Sequence, residues 1–219
     1  MEARDAATVV FVPGLGLGRE SVRGAMRCGG WAAEVVLLPG YGLPVPRGVD
    51  VSPGALAELL LERLPGPVVL VGHSASCQVV VEAAARAPGR VAGLVLLGPT
   101  TDPRAATWPR LAQRWLRTAA WEPPWQVPLL VRQYRRTGLR DMAAVMDAAR
   151  RHDLRKPLRD IGIPVVVVRG RHDRIAPAAW VAEVAAVARG TVTTLPVGGH
   201  MVVLTHPESV VPIITEVRR

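Results

Sequence analysis

The chain has 219 residues, 49% apolar and only 21% charged, a composition that buries a full core and excludes a disordered protein. No apolar run reaches the roughly 18 residues that a membrane span needs, and two cysteines, Cys28 and Cys77, make neither a disulfide framework nor a zinc site by themselves. The net charge of +9 is concentrated: residues 103–160 carry thirteen Arg or Lys against five Asp or Glu, and the rest of the chain is nearly neutral.

The charged start Met1-Glu2-Ala3-Arg4-Asp5 argues against a signal peptide, and the cysteine usage fits a reduced, cytoplasmic protein. Residues 7–13 form a β-branched run ending in Gly14-Leu15-Gly16, followed by a predicted helix over 19–26. Residues 34–38 are a second apolar run, stopped by Pro39-Gly40-Tyr41-Gly42. Ser52 is a good N-cap for a helix over 54–64, where Leu56, Leu59, Leu60 and Leu64 recur at helical spacing. Apolar runs over 67–72 and 91–97 flank a helix over 76–86. After the basic segment come a run over 163–169, a helix over 178–188, a short strand over 191–196 and a last helix near 207–217. Strands apolar on both faces and separated by helices predict an α/β fold, a mostly parallel central sheet covered on both sides. In such sheets, reactive groups gather in the loops beyond the carboxyl ends of the strands.

Residues 103–160 break the alternation. They hold four of the six tryptophans (Trp108, Trp115, Trp121, Trp125), a Pro123-Pro124 break and predicted helices around 109–119, 127–137 and 139–151. We read them as a helical lid inserted into a core made of residues 1–102 and 161–219. Trp108 and Trp115, with Leu111, Leu116, Leu129 and Leu130, are candidates to line an apolar acyl pocket, together with Gly14 and Met201. The Arg excess is either solvated helix surface or a docking face for an acidic partner. No recognition motif supports nucleic-acid binding.

Three strand-end loops carry the chemistry. In Gly72-His73-Ser74-Ala75-Ser76 a strand turns at once into a helix, an elbow that presents the Ser74 hydroxyl at a helix N-terminus. Gly170-Arg171-His172-Asp173 puts an acid after the fifth apolar run, with Pro177 opening the next helix. Gly198-Gly199-His200 follows the sixth. Ser, Asp, His is the chain order of a nucleophile-elbow hydrolase, with His200 as base for Ser74 and Asp173 orienting it. Asp102, after the fourth run, is the rival acid; Asp173 is preferred because its Gly-x-x-Asp loop precedes a helix-opening Pro. His73 should point away from Ser74, His172 and His206 read as structural or exposed, and His152 as solvated. The backbone N–H groups of Leu15 and Ala75 are the expected oxyanion donors, Gly14 and Gly16 allowing close approach. Gly14, Gly16 and Gly18 lack the spacing of a dinucleotide loop, and neither a cofactor nor a metal is expected.

With these loops in this order, the chain resembles the α/β-hydrolase superfamily over nearly its whole length, in residues 10–16, 38–42, 70–76, 170–177 and 198–201. The resemblance implies a serine hydrolase cleaving an ester, thioester or lactone of a largely apolar acyl substrate. It excludes the branches with an Asp nucleophile, and by analogy with members acting on carrier-bound esters it makes an acidic acyl-carrier protein a candidate partner beside a small-molecule substrate. Pro13, where a His often stands, and Ser76, in place of the elbow Gly, are departures. A cofactor-free lyase or cyclase acting on a small acidic or carrier-bound intermediate is the alternative, since the fold hosts both chemistries.

Overall fold

The structure, a computed structural model, describes residues 7–219; the charged start at 1–5 lies outside the described residues. Six strands form one sheet: β1 (Thr8–Val12), β2 (Ala33–Val35), β3 (Val68–His73), β4 (Val91–Leu97), β5 (Val165–Gly170) and β6 (Thr191–Leu195). Their order is β2-β1-β3-β4-β5-β6, and every pairing is parallel. All strands therefore end on the same edge, which is what lets three distant loops converge. The order reverses between β1 and β3, so the loops after those two strands open beside each other at the switch point.

Alternation along each strand sorts the core into two layers. Val10, Val12, Leu70, Leu94, Leu96 and Val167 face α2 (Pro53–Leu61), α3 (Ser76–Arg86) and α8 (Ala178–Val187). Val9, Phe11, Val69, Val71, Val95 and Val168 face α1 (Arg23–Gly29), α9 (Val202–Thr205) and α10 (Pro207–Val217) on the other side. Each fully buried Leu or Val contributes on the order of 1.5–3 kcal/mol, so this double layer is what holds the strand ends in register.

Local chemistry explains where the elements depart from expectation. The predicted helix over 19–26 is a single 3-10 turn over Arg19–Ser21 followed by α1, which ends at Gly30 with φ 63°. Of the second run only residues 34 and 35 join the sheet, in β2 (Ala33–Val35). Pro39 has no N–H to offer a ladder, and Gly40 and Gly42 take φ values of 79° and 89°, so Leu38–Pro39 instead pairs briefly with Gly42–Leu43. Ser52 caps α2 as expected, its hydroxyl accepting the Ala55 N–H at 3.3 Å, but the helix stops at Leu61.

Between β4 and β5 the chain forms α4 (Trp108–Ala119), α5 (Val127–Thr137), α6 (Leu139–Arg151) and α7 (Arg155–Leu158). Polar contacts tie these helices to the core. The Gln78 amide and the Thr101 hydroxyl both donate to the Ala149 carbonyl at 3.0 Å, and Asp141 accepts the Val45 N–H at 2.7 Å. Among the described residues no helix is long and apolar enough to cross a membrane.

Candidate active site

The turn after β3 is a true elbow. Ser74 has φ 60°, a left-handed conformation that non-glycine residues rarely adopt, held by its N–H donating to the Leu97 carbonyl at 2.8 Å. Gly72 is required, because a Cβ there would sit 2.7 Å from Val80 Cγ2 and 3.0 Å from Cys77 Cα. Ser76, the departure from the usual Gly, is accommodated by bonding. Its hydroxyl donates to the Val12 carbonyl at 2.7 Å and accepts the His73 N–H at 2.9 Å, stapling the ends of β1 and β3 together.

The predicted side chains meet at this edge. His200 Nε2 lies 2.8 Å from Ser74 Oγ, and His200 Nδ1 lies 2.8 Å from Asp173 Oδ2. A carboxylate only accepts, so Nδ1 carries the proton and Nε2 is free to accept the serine O–H. The other Asp173 oxygen accepts the N–H groups of Ile175 and Ala176 at 2.8 and 2.9 Å. Burial alone would raise the Asp173 pKa, but the His200 ring, the Ala176 N–H and the Arg169 charge together hold it below the usual carboxylate value. For His200, burial favours the neutral ring, yet the charge and hydrogen bond of Asp173, with the charge of Glu122, raise its pKa above the ordinary 6.5. Gly98, at φ 56° just after β4, makes room for the pair: a Cβ there would lie 2.9 Å from His200 Nδ1 and 3.0 Å from Asp173 Oδ2.

Asp102 is buried too, but its oxygens are occupied by Arg104 and Arg114, each at 2.8 Å, with the Arg104 N–H at 3.0 Å. It caps the turn into the inserted helices and does not reach the imidazole. The His73 ring makes no hydrogen bond to Ser74. It packs beside His200, ring centroids 5.1 Å apart, with Nε2 3.0 Å from the His200 carbonyl oxygen. That carbonyl can only accept, so Nε2 carries the proton, and burial pushes the His73 pKa down to about 3. Its Nδ1 faces Gly14, where a Cβ would approach to 2.7 Å. His152, expected to be solvated, pairs instead with Glu82 at 2.6 Å. His172 stacks on Trp121, and His206 bonds Thr205.

The loop after β1 brings Leu15 to the same place. Gly16 (φ 72°) donates its N–H to Gly40, and Leu17 donates back to the Gly14 carbonyl at 2.9 Å. Among the described residues neither the Leu15 nor the Ala75 N–H has a hydrogen-bond partner, so both are available beside Ser74. Helix α5 fixes this loop: Gln133 accepts the Gly18 N–H at 2.6 Å, and Thr137 donates to the Gly16 carbonyl at 3.2 Å. Neither residue carries a signal in the sequence, where both read as ordinary polar positions on a helix.

Above Ser74 and His200 lies a cavity of about 810 Å³. Gly14, Trp108, Trp115 and Met201 line it as expected, with Leu111, Leu116 and Leu130, while Leu129 is not on its wall. Two further wall residues, Glu122 and Tyr134, were not singled out by the sequence reading. Glu122 accepts the backbone N–H of His200 at 2.5 Å and of Met201 at 2.9 Å. Its one sequence cue is that it is a rare acid in a basic segment, set against Pro123-Pro124. Of the arginines on α5 and α6, Arg132 and Arg136 pair with Glu20 at 2.7 and 3.5 Å, whereas Arg135 and Arg140 are exposed and pair with none of the described residues. No cluster of three or more His, Cys, Asp or Glu able to hold a metal occurs among the described residues.

Comparison with known proteins agrees with this architecture. A pimeloyl-[acyl-carrier protein] methyl ester esterase of Methylococcus capsulatus is 31% identical over 212 residues, covering 82% of this chain and 81% of the relative. A protein of the same name from Nitrosomonas europaea is 29% identical over 210 residues, 80% of each. The solved structure of a hydrolase from Oleispira antarctica superposes with a TM-score of 0.81 over 97% of this chain and 90% of the other, at 15% identity, a likeness of fold. The model of the alpha/beta hydrolase family matches residues 9–213, and the chain belongs to that family.

Proposed function

We propose that the protein is a serine esterase in which Ser74, His200 and Asp173 act as the catalytic triad under a lid made by the inserted helices. The observation that carries this reading is the unbroken hydrogen-bonded chain from Ser74 Oγ through the imidazole to Asp173, both links 2.8 Å, at the floor of an apolar cavity. His200 Nε2 takes the Ser74 proton as Oγ attacks the acyl carbonyl. The oxyanion that forms is held by the Leu15 and Ala75 N–H groups, each such donor lowering the barrier by on the order of 3 kcal/mol. Collapse expels the alcohol, which leaves with the proton from His200, and Ser74 remains acylated. Water then attacks with His200 as base again, releasing the acid and restoring the serine.

The substrate class follows from the cavity and the charge. Apolar walls suit an acyl chain, while exposed Arg135 and Arg140 suit an acidic partner. Together with relatives named for an ester borne by an acyl-carrier protein, this favours a carrier-bound acyl ester over a free one.

Ser74→Ala is expected to lower ester hydrolysis by at least about 10³-fold and to abolish labelling by a fluorophosphonate, with an unchanged melting temperature. Hydrolysis at the parent rate overturns the assignment. Mass spectrometry in H2(18)O should find one heavy oxygen in the released acid; a product with no added water points to lyase chemistry instead. With a carrier-bound ester, kcat/KM should fall steeply as salt rises, and Arg135→Glu with Arg140→Glu should remove that dependence. A salt response no steeper than that of a free short-chain ester removes the carrier.

A further inference from the structure

The turn that closes α4 touches both loops carrying the imidazole–carboxylate pair. Thr118 Oγ1 accepts the N–H of Arg174, the residue after Asp173, at 3.0 Å. The Trp121 ring lies on His172, the residue before it, with centroids 3.8 Å and planes 5° apart. Glu122 reaches the other loop. One of its oxygens accepts the N–H groups of His200 and Met201, and the other accepts the Gln126 side-chain amide at 2.9 Å. Gly199 admits it, because a Cβ there would stand 2.5 Å from the same Glu122 oxygen.

As a result every polar atom of His200 is held. Its backbone N–H is bound by Glu122, its carbonyl by His73, its Nδ1 by Asp173, and its Nε2 faces Ser74. Three of these partners come from the sheet edge; Glu122 alone comes from the inserted helices. Hydrogen bonds from backbone N–H to an ionised carboxylate are about twice as strong as neutral ones, so this link sets the loop's position firmly.

We propose that Glu122 is a positioning residue for the base, fixing the His200 backbone so that Nε2 stays on Ser74, and making that alignment depend on the inserted helices being seated. The proposal rests on the esterase reading above. The groups facing His200 are Asp173, Glu122, Ser74 and neutral His73, with Arg169 behind Asp173 and Tyr134 on the far side of Glu122. Of these, Asp173 and Glu122 carry the charge that favours the protonated imidazole, so removing the Glu122 charge lowers the His200 pKa.

The test is kcat and KM for 4-nitrophenyl butyrate across the pH range, in parent, Glu122→Gln and Glu122→Ala. Glutamine keeps an acceptor for both N–H groups, and Gln126 can turn its unpartnered amide oxygen toward the new NH2. Glu122→Gln is therefore expected to keep kcat within about twofold on the plateau, while its acid limb moves to lower pH. Glu122→Ala should lose kcat by about tenfold or more, with KM changed far less. Parent-like kcat in the alanine variant, or an acid limb unmoved in the glutamine variant, overturns the proposal. If Glu122→Ala does not fold, Glu122→Met, which keeps the volume and removes the acceptor, takes its place with the same expected loss of kcat. Ser74→Ala separates the two readings: were it active, the esterase assignment would fall; were it dead beside parent-like Glu122 variants, only the role of Glu122 would.

Discussion

The sheet and the inserted helices bury their apolar residues in different ways. Leu70, Leu94 and Leu96 are wholly enclosed, whereas Trp108 and Trp115 are 45% and 51% exposed although they line the cavity. The sheet places its side chains so that little can move; α4 and α5 turn apolar faces toward an open space. Under the proposed function, geometry at the reacting atoms belongs to the core and choice of substrate to the insertion, with Glu122 bridging the two.

The largest expected effect tests the core's share. Asp173→Asn should lower kcat by about 10³–10⁴-fold, because it misdirects the imidazole tautomer, whereas Asp102→Asn should lose less than about tenfold. Rates measured side by side decide which buried carboxylate orients His200; a reversal of the two would transfer that role to Asp102. Next comes a contrast in stability. Leu96→Ala should cost about 3 kcal/mol in urea unfolding. Trp115→Ala should stay within about 0.5 kcal/mol yet raise KM for long-chain esters. Equal destabilisation by the two would erase the distinction between the regions.

The last contrast concerns His73, which the fold keeps neutral. Below about pH 6.5 the unfolded chain takes up a proton on this residue that the folded chain refuses until about pH 3. Its contribution to stability is therefore complete above pH 6.5 and drains away as the pH falls toward 3. Melting temperatures of the parent should drop more steeply over that window than those of His73→Asn; parallel curves would mean that the buried ring is not what limits acid stability.

Some of the site was legible because its signals are local. Gly72 and Ser74 mark the elbow, Pro177 marks the helix after the acid, and the helices over 76–86, 127–137, 139–151 and 207–217 have the bounds their patterns predict. The second strand is shorter than its apolar run because Pro39 and Gly40 have already turned the chain, which the run itself does not reveal. For a similar reason no pattern tells which arginines of α5 are paired, since only the folded chain brings Glu20 to Arg132 and Arg136.

By itself the sequence determined the parallel sheet and the order of its strand-end loops, since apolar periodicity, caps and turn residues act over a few neighbours. The local pattern favoured Asp173 as the acid, but only tertiary structure brought it to His200 and left Asp102 to its arginines, and it alone drew Glu122 onto the His200 backbone from 78 residues away. Such pairings depend on the distance and direction between side chains after the sheet has closed, and no local pattern along the chain encodes either.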